Sequence, residues 1–318
     1  MPNGPGKSHR KGMSLFEIMD MFPNEEVAEE WFEEVRWGIE RKPDHCPKCG
    51  CCGKIKRYEN RKSSPFYCKA CKSYFSVRTD TVMSHSAIPL RKWAIATYLW
   101  TTSLKSVSSM KLHRDLQISQ KSAWFMAHRL REAWGEGNRC GKKGPVEVDE
   151  TYIGGREANK HGNRKLKAGR GAVGKAIVAG ARDRKSNTVS AKVVEDTRRD
   201  TLHGFVADNT ESDTQVYTDD HSSYKGMDNP HGVVKHSVSE YVRDQAHTNG
   251  IESFWALLKR GYHGTFHHFS EKHLQRYVNE FACRHNLRPL DTYDMMEHSA
   301  AMMTGKRLTY RELTIGRE

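Results

Sequence analysis

Two Cys-x-x-Cys pairs constrain the fold of this 318-residue chain more than any other feature of its sequence. Cys46 and Cys49 form the first pair, Cys68 and Cys71 form the second, and 18 residues separate the two pairs. Each pair can make a tight turn that directs two thiolates at one ion, and two such turns complete a tetrahedral four-sulfur site. The segment has few aliphatic residues, so the metal would supply much of its folding free energy. We therefore predict a zinc ribbon at residues 43–80, with a structural rather than a catalytic Zn²⁺.

We expect the cysteines of this chain to be reduced, because the sequence predicts a cytoplasmic protein. The N-terminal segment is basic but has no apolar region of secretory length, and no apolar run is long enough to span a bilayer. We therefore expect a cytoplasmic protein without a membrane partner, in which eight cysteines indicate metal binding rather than disulfides. Redox-active pairs and unrelated buried thiols are the alternatives. Cys51 and Cys52 lie just beyond the first pair, and we expect them to be spare thiols.

The charge of the chain favours a polyanionic partner. It has 52 Lys and Arg against 39 Asp and Glu, a formal net charge of +13, and nucleic acid is the commonest partner of such proteins. The segment from Arg156 to Lys185 has ten basic residues and two acidic ones. We expect this segment to hold DNA phosphates, with a solvated insertion as the alternative. Its candidate contacts are Arg164, Lys165, Lys167 and Arg170.

The segments on both sides of the predicted ribbon have helical periodicity. Residues 1–42 predict a polar tail followed by helices, and residues 84–135 have the proportions of a helix-turn-helix module. Its second helix is expected over 120–134, with Ser119 as the N-cap. We expect an inward face of Trp124, Met126, Ala127, Leu130 and Ala133. The outward face would carry Lys121, His128, Arg129 and Arg131, of which the lysine and the two arginines are candidate DNA contacts. An ordinary helical subdomain with a solvated basic face is the alternative.

After residue 144 the periodicity changes. Short β-rich runs alternate with helical stretches over residues 145–290, which predicts a mixed α/β domain, and we expect residues 291–318 to be a C-terminal tail. The predicted fold class is therefore α/β. A zinc ribbon and a helix-turn-helix-like module precede a mixed α/β catalytic domain.

Acidic residues occupy the ends of two predicted strands and the start of a helix. Asp149 and Asp219 each lie near the end of a β-run, and Asn249 and Glu252 are three residues apart on one helix face. Converging carboxylates of this kind can hold Mg²⁺, which activates water or a 3′-hydroxyl toward a phosphodiester. Lys259 lies two turns after Glu252 and would hold a DNA phosphate. Each acid taken alone is more often a surface or capping residue.

Three longer phrases carry a resemblance to a known family. VEVDETYIGGRE, VYTDDHSSYKG and HTNGIESFWALLKRGYHGTFHHFSEKHLQRYVNEFACRHN resemble the ISXO-type insertion-sequence transposases. That group resembles the wider DDE transposase and integrase superfamily, whose core is RNase H-like. The segment CPKCG…YCKACKSYFSVRTDTVM resembles the zinc ribbon of the same group. The resemblance spans roughly residues 25 to 290.

The resemblance implies a set of site residues. Asp149 and Asp219 would be the first two ligands of a catalytic Mg²⁺ or Mn²⁺. The third position stays open between Glu252, which the superfamily's Glu-then-Lys spacing favours, and Asn249. Asp220 is a weaker candidate than Asp219 because neighbours on an extended chain point to opposite sides. His247 is a further candidate residue, which could approach the metal site, cap a helix or contact DNA.

The resemblance also implies a function. A bacterial, nucleoid-associated transposase would bind double-stranded DNA at the terminal repeats of an insertion sequence, cleave it and join it to target DNA. Handling two ends together implies a homodimer or a larger assembly. A non-catalytic zinc-ribbon DNA-binding regulator is the alternative from another class. A nuclease of the same fold that hydrolyses DNA without joining it is a third possibility.

Overall fold

A computed structural model describes residues 11–61, 63–135, 142–155, 174–234 and 248–315. The chain divides into two compact units. The first unit comprises Met1–Trp134 and Arg288–Glu318, and the second comprises Gly135–Leu287. The basic candidates at positions 164, 165, 167 and 170, and His247, lie outside the described residues.

Ten α-helices and eight β-strands occur among the described residues. The helices are α1 (Leu15–Met21), α2 (Glu25–Trp37), α3 (Leu90–Thr102), α4 (Ser109–Leu116), α5 (Gln120–Ala133), α6 (Arg199–Asn209), α7 (Asn249–Gly261), α8 (Leu274–Leu287), α9 (Thr292–Ala301) and α10 (Tyr310–Thr314). The strands are β1 (Ile55–Arg57), β2 (Phe66–Cys68), β3 (Ser73–Phe75), β4 (Val146–Ile153), β5 (Ala176–Asp183), β6 (Val189–Val194), β7 (Val216–Asp219) and β8 (His231–Val234). Within the described ranges, no helix is long and apolar enough to cross a membrane.

The ribbon is a three-stranded antiparallel sheet in the order β1-β2-β3. Side chains alternate between its faces, so that Phe66 and Phe75 pair on the buried face with stacked rings 5.4 Å apart. Trp37 at the end of α2 packs edge-on against Phe66, with ring centroids 4.9 Å apart. This small aromatic core also contains Cys46 and Cys68. The predicted ribbon is thus present, and it has few apolar residues besides its cysteines.

The predicted helix pair is present as α4 and α5. Gln117 ends α4 in the left-handed region, with φ 50°, and the Ser119 hydroxyl accepts a hydrogen bond from the Ser122 amide to cap α5. Met126 and Leu130 are buried, as predicted. The other two buried members of the predicted inward face are Ala127 and Ala133, and Trp124 is half-buried.

The prediction that His128, Arg129 and Arg131 face outward is wrong, because all three are buried. The Arg129 guanidinium donates to the Ser84 carbonyl at 3.0 Å and lies 4.1 Å from the ring centroid of Phe125. Burial lowers the pKa of Arg129 to about 10. Arg131 lies over the ring of Trp100 at 5.1 Å. These guanidinium groups are occupied inside the first unit, whereas Lys121 is exposed.

The expectation of a C-terminal tail at residues 291–318 is also wrong. Helices α9 and α10 lie there, and α9 packs against α2 and α3. Met295 and Met296 are buried, and the Val82 amide donates to the Met303 carbonyl at 3.0 Å. The last segment of the chain therefore completes the core of the first unit.

The second unit is built on a five-stranded sheet in the order β6-β5-β4-β7-β8. Strand β5 pairs antiparallel with both β4 and β6, while β7 runs parallel to both β4 and β8. One face packs against α6 through Val146, Val148 and Leu202. The opposite face packs against α7 and α8 through residues that include Val178 and Phe281. This arrangement confirms the mixed α/β domain that the alternation of β-rich and helical runs predicts, and β4 lies at the centre of its sheet.

Candidate metal and active site

The four predicted zinc ligands converge. Cys46, Cys49, Cys68 and Cys71 have sulfur atoms that all lie within 4.8 Å of one another. The Cys46–Cys71 and Cys49–Cys68 sulfur pairs are each 3.8 Å apart. A tetrahedral ion with Zn–S bonds of about 2.3 Å requires edges of about 3.8 Å between sulfurs. The cluster therefore has the dimensions of a four-sulfur zinc site.

Backbone geometry forms the two turns of this site. In the first turn Gly50, with φ 71°, donates its amide to the Cys46 carbonyl at 2.8 Å. In the second turn the Cys71 amide donates to the Cys68 sulfur, which lowers the pKa of Cys68 to about 7 and favours the thiolate that binds metal. Cys51 and Cys52 stay outside the cluster, as expected.

Asp149 is the fourth of the eight residues of β4, so the expectation that it lies near the end of its strand is wrong. Its half-buried carboxylate points to the α7 face of the sheet. Its Oδ2 atom accepts a hydrogen bond of 2.9 Å from the indole Nε1 of Trp255 on α7. Gly180 on β5 is the direct cross-strand partner of Asp149. A Cβ atom at position 180 would lie 2.6 Å from two carbons of the Trp255 ring. The sheet therefore lacks a side chain where the indole crosses it to reach Asp149.

Asp219 is the last residue of β7, which lies beside β4. The parallel register pairs residues 146 and 147 with 216 and 217, and Asp219 lies close enough for its charge to act on Asp149. Its Oδ1 atom accepts a hydrogen bond of 3.1 Å from the His221 amide. Asp220 is exposed, whereas Asp219 is half-buried, in line with the expected ranking of the two.

Glu150 follows Asp149 on β4, and the sequence did not single it out; as a neighbour on an extended strand it points to the opposite face of the sheet. Its side chain is half-buried, and its Oε2 atom accepts a hydrogen bond of 2.7 Å from the hydroxyl of buried Tyr224. Burial raises the pKa of Glu150, and the charge of Asp219 raises it further. Burial and the charge of Glu150 raise the pKa of Tyr224 well above its usual value.

The carboxylates of Asp149, Glu150 and Asp219 repel one another. Burial raises the pKa of Asp149 to about 7, and the negative charges of Glu150 and Asp219 add to this effect. The hydrogen bond from Trp255 acts in the opposite direction. A cation bound by Asp149 and Asp219 would reduce the repulsion between them, and hard cations prefer oxygen ligands.

A buried ionic cluster holds the start of α7. Glu147 on β4 is fully buried and accepts hydrogen bonds from Arg182 at 3.2 Å and from Arg184 at 2.9 Å. Its other oxygen accepts a bond of 2.8 Å from the Ile251 amide in the first turn of α7. Gly250 lies against this cluster, and a Cβ there would overlap Arg182 Nη1. Helix α7 is thus attached to β4 through Glu147 and, one turn later, through Asp149.

Asn249, Glu252 and Lys259 lie on α7 and are exposed. The Glu252 carboxylate accepts a hydrogen bond of 2.9 Å from the Thr248 hydroxyl. Within the described ranges, the only group of three or more Cys, His, Asp or Glu whose ligand atoms all lie within 4.8 Å is the cysteine cluster. The structure therefore brings Asp149 and Asp219 to adjacent strands, and the third ligand stays a prediction.

Comparison with known proteins gives three findings. Residues 142–286 match the family model described as the ISXO2-like transposase domain. The chain is 28% identical over 254 residues to an uncharacterised protein in transposable element ISH50 of Halobacterium salinarum, covering 75% of this chain and 83% of that relative. A solved chain from the simian T-cell lymphotropic virus intasome in complex with PP2A regulatory subunit B56 gamma gives a weak match, with 14% identity and a TM-score of 0.28. That match covers 59% of this chain and 64% of the solved chain, which is less than two thirds of its length.

Proposed function

Because residues 142–286 carry an ISXO2-like transposase domain, we propose that this chain is a transposase that binds insertion-sequence ends, cleaves DNA strands there and joins them to target DNA. Water cleaves the phosphodiester at an element end and leaves a 3′-hydroxyl. That hydroxyl then attacks a phosphodiester of the target, and one target strand end leaves. Both steps exchange one P–O bond for another, so the same site serves both.

The observation that carries the proposal is the placement of Asp149 and Asp219 on adjacent parallel strands of the matched domain. Their carboxylate oxygens suit Mg²⁺ or Mn²⁺, which prefer oxygen ligands. Such an ion, when bound, polarises the phosphodiester and activates the attacking oxygen. Glu252 is our preferred third ligand, with Asn249 as its rival.

The remaining residues orient the site and hold DNA. Glu147 fixes the first turn of α7, from which Glu252 projects. Exposed Lys259, in the last turn of the same helix, is suited to bind a phosphate. In the first unit, exposed Lys121 on α5 remains a candidate DNA contact.

We assign a structural Zn²⁺ to the cysteine cluster, because its four sulfurs have tetrahedral spacing and leave no position for substrate. The partners proposed are double-stranded DNA at the terminal repeats and at the target. Pairing of two ends calls for a homodimer or larger assembly. The expected location is the bacterial cytoplasm, at the nucleoid.

A strand-transfer assay tests this function. Labelled terminal-repeat DNA is incubated with target DNA and Mg²⁺, and both cleaved and joined products are expected. Asp149→Ala and Asp219→Ala should abolish both products while leaving DNA binding intact. Asn249→Ala and Glu252→Ala, assayed in parallel, identify the third ligand as the one whose loss removes activity.

Two other results would contradict the transposase. DNA binding without cleavage, unaffected by Asp149→Ala, would indicate a zinc-ribbon regulator. Cleavage without joined products would indicate a nuclease.

A further inference from the structure

We infer that Trp255 is a positioning residue that holds the carboxylate of Asp149 in its metal-binding orientation, with Gly180 providing the space that this contact needs. The inference rests on the proposed function, in which Asp149 is a metal ligand. It adds a residue that does not itself meet the ion or the DNA.

The contact joins parts of the chain that are far apart in sequence. Trp255 donates from its indole Nε1 to Asp149 Oδ2 at 2.9 Å, across 106 positions of the chain. The indole is almost fully buried, and a buried indole N–H requires an acceptor. A hydrogen bond from a neutral donor to a carboxylate is stronger than one to a neutral acceptor. Each carboxylate oxygen has two lone pairs, so this bond leaves acceptor capacity for a cation.

The sheet is shaped for this contact. Gly180 lies directly across from Asp149 on the neighbouring strand, and the Trp255 ring occupies the place of its missing side chain. A Cβ at position 180 would lie 2.6 Å from Cη2 and Cζ2 of the ring and 3.1 Å from Cδ1 of Ile251. Both neighbours are buried in the same core cluster and have little room to move.

A satisfied core tryptophan is the simpler interpretation, and the chain contains one for comparison. Trp93 on α3 is fully buried, and its Nε1 donates to the neutral hydroxyl of Ser86 at 3.3 Å. The Trp255 bond is shorter and ends on a carboxylate whose charge the site needs. Loss of either bond removes a buried donor–acceptor pair, but only loss of the Trp255 bond should alter metal binding.

Two variants disturb this contact, one on α7 and the other on β5. Trp255→Phe keeps most of the ring and removes the N–H donor, while Gly180→Ala keeps the donor and displaces the ring. Residues that hydrogen-bond to metal ligands typically contribute about 10- to 100-fold to metal affinity. We expect both variants to raise the Kd for Mn²⁺, measured calorimetrically on the full chain without DNA, by about 10-fold or more. Zinc content and DNA binding in the absence of a divalent ion should not change.

Trp93→Phe is the matched control and should leave the Mn²⁺ Kd unchanged. Asp149→Asn tests whether Mn²⁺ binding depends on Asp149. If it does, but the Mn²⁺ Kd is unchanged or lower in both Trp255→Phe and Gly180→Ala, the inference alone is overturned. Mn²⁺ binding that is the same in wild type and Asp149→Asn would overturn the inference and the metal site of the proposed function together.

Discussion

At the scale of single residues, a substitution at Gly250 tests whether the buried ionic cluster of Glu147 and Arg182 holds the start of α7. A Cβ at this position would overlap Arg182 Nη1 and lie 2.7 Å from Glu147 Oε2. We expect Gly250→Ala to lower the free energy of unfolding by about 1–3 kcal/mol, because the buried ionic cluster must shift. Urea unfolding measures this change.

Gly204 on α6 provides the control for that experiment. A Cβ there meets no atom within 4 Å, so Gly204→Ala should be neutral or stabilising by up to ~1 kcal/mol through helix propensity. Equal losses in the two variants would show that the Glu147–Arg182 contact does not constrain residue 250.

Asp149 gives the molecule a distinctive dependence on pH. Its pKa is about 7 in the folded chain against an ordinary value of 3.8, mainly because of burial. The folded state therefore retains a proton that the unfolded state releases, and stability falls as pH rises from about 4 to about 7. Asp149→Asn removes this loss. Without added Mg²⁺ or Mn²⁺ we expect the free energy of unfolding of this variant to match that of wild type at pH 4 and to exceed it by up to ~4 kcal/mol at pH 8. Parallel pH profiles would contradict this account.

Single residues also show where sequence reasoning stops. Asp149 and Asp219 could be selected because β-runs and a family resemblance mark them. Trp255 is buried in the core, but its bond to Asp149 spans 106 positions and leaves no local pattern in the sequence. Arg129 was expected on the surface because guanidinium groups usually are, yet a backbone carbonyl and an aromatic ring compensate for its burial.

At the scale of elements, we expect the ribbon to depend on the proposed Zn²⁺ for its stability. The apolar cluster around its sheet is small, so four thiolates around Zn²⁺ would supply much of its stability. We expect Cys71→Ser to lose the bound zinc and to expose β2 and β3 to hydrogen exchange. Zinc content by elemental analysis is the direct measurement.

Cys52→Ser is the control for the ribbon. Cys52 is exposed and lies outside the four-sulfur cluster, so this variant should retain a full equivalent of zinc. Zinc loss in Cys52→Ser equal to that in Cys71→Ser would mean that the ligand set is wrong.

Elements were predictable where a local signal marks them. Paired cysteines marked the ribbon, and N-cap serine with helical periodicity marked α5. Helix α9 was missed because it lies just beyond the part of the chain that resembles the family, which ends near residue 290. Its helical structure gains from packing against α2 and α3, which the sequence does not display.

At the scale of the whole molecule, strand order explains why distant acids meet. Strand β7 follows β4 by two strands and one helix in sequence, yet it lies beside β4 and runs parallel to it. The sequence predicted strands that end in acids but could not determine their neighbours, because pairing is a long-range property. The parallel pairing of β4 and β7 therefore brings the two carboxylates onto adjacent strands, where the proposed site needs them.

The division into two units predicts how the chain responds to damage in its core. Met296 on α9 is fully buried in the first unit, and truncating a buried methionine to alanine costs about 2–5 kcal/mol. We expect Met296→Ala to accelerate amide hydrogen exchange in α2 and α3 and to leave β4 and β5 unchanged. Val178→Ala, in the core of the second unit, should give the opposite pattern. Equal acceleration throughout the chain in either variant would mean that the two units unfold as one cooperative body.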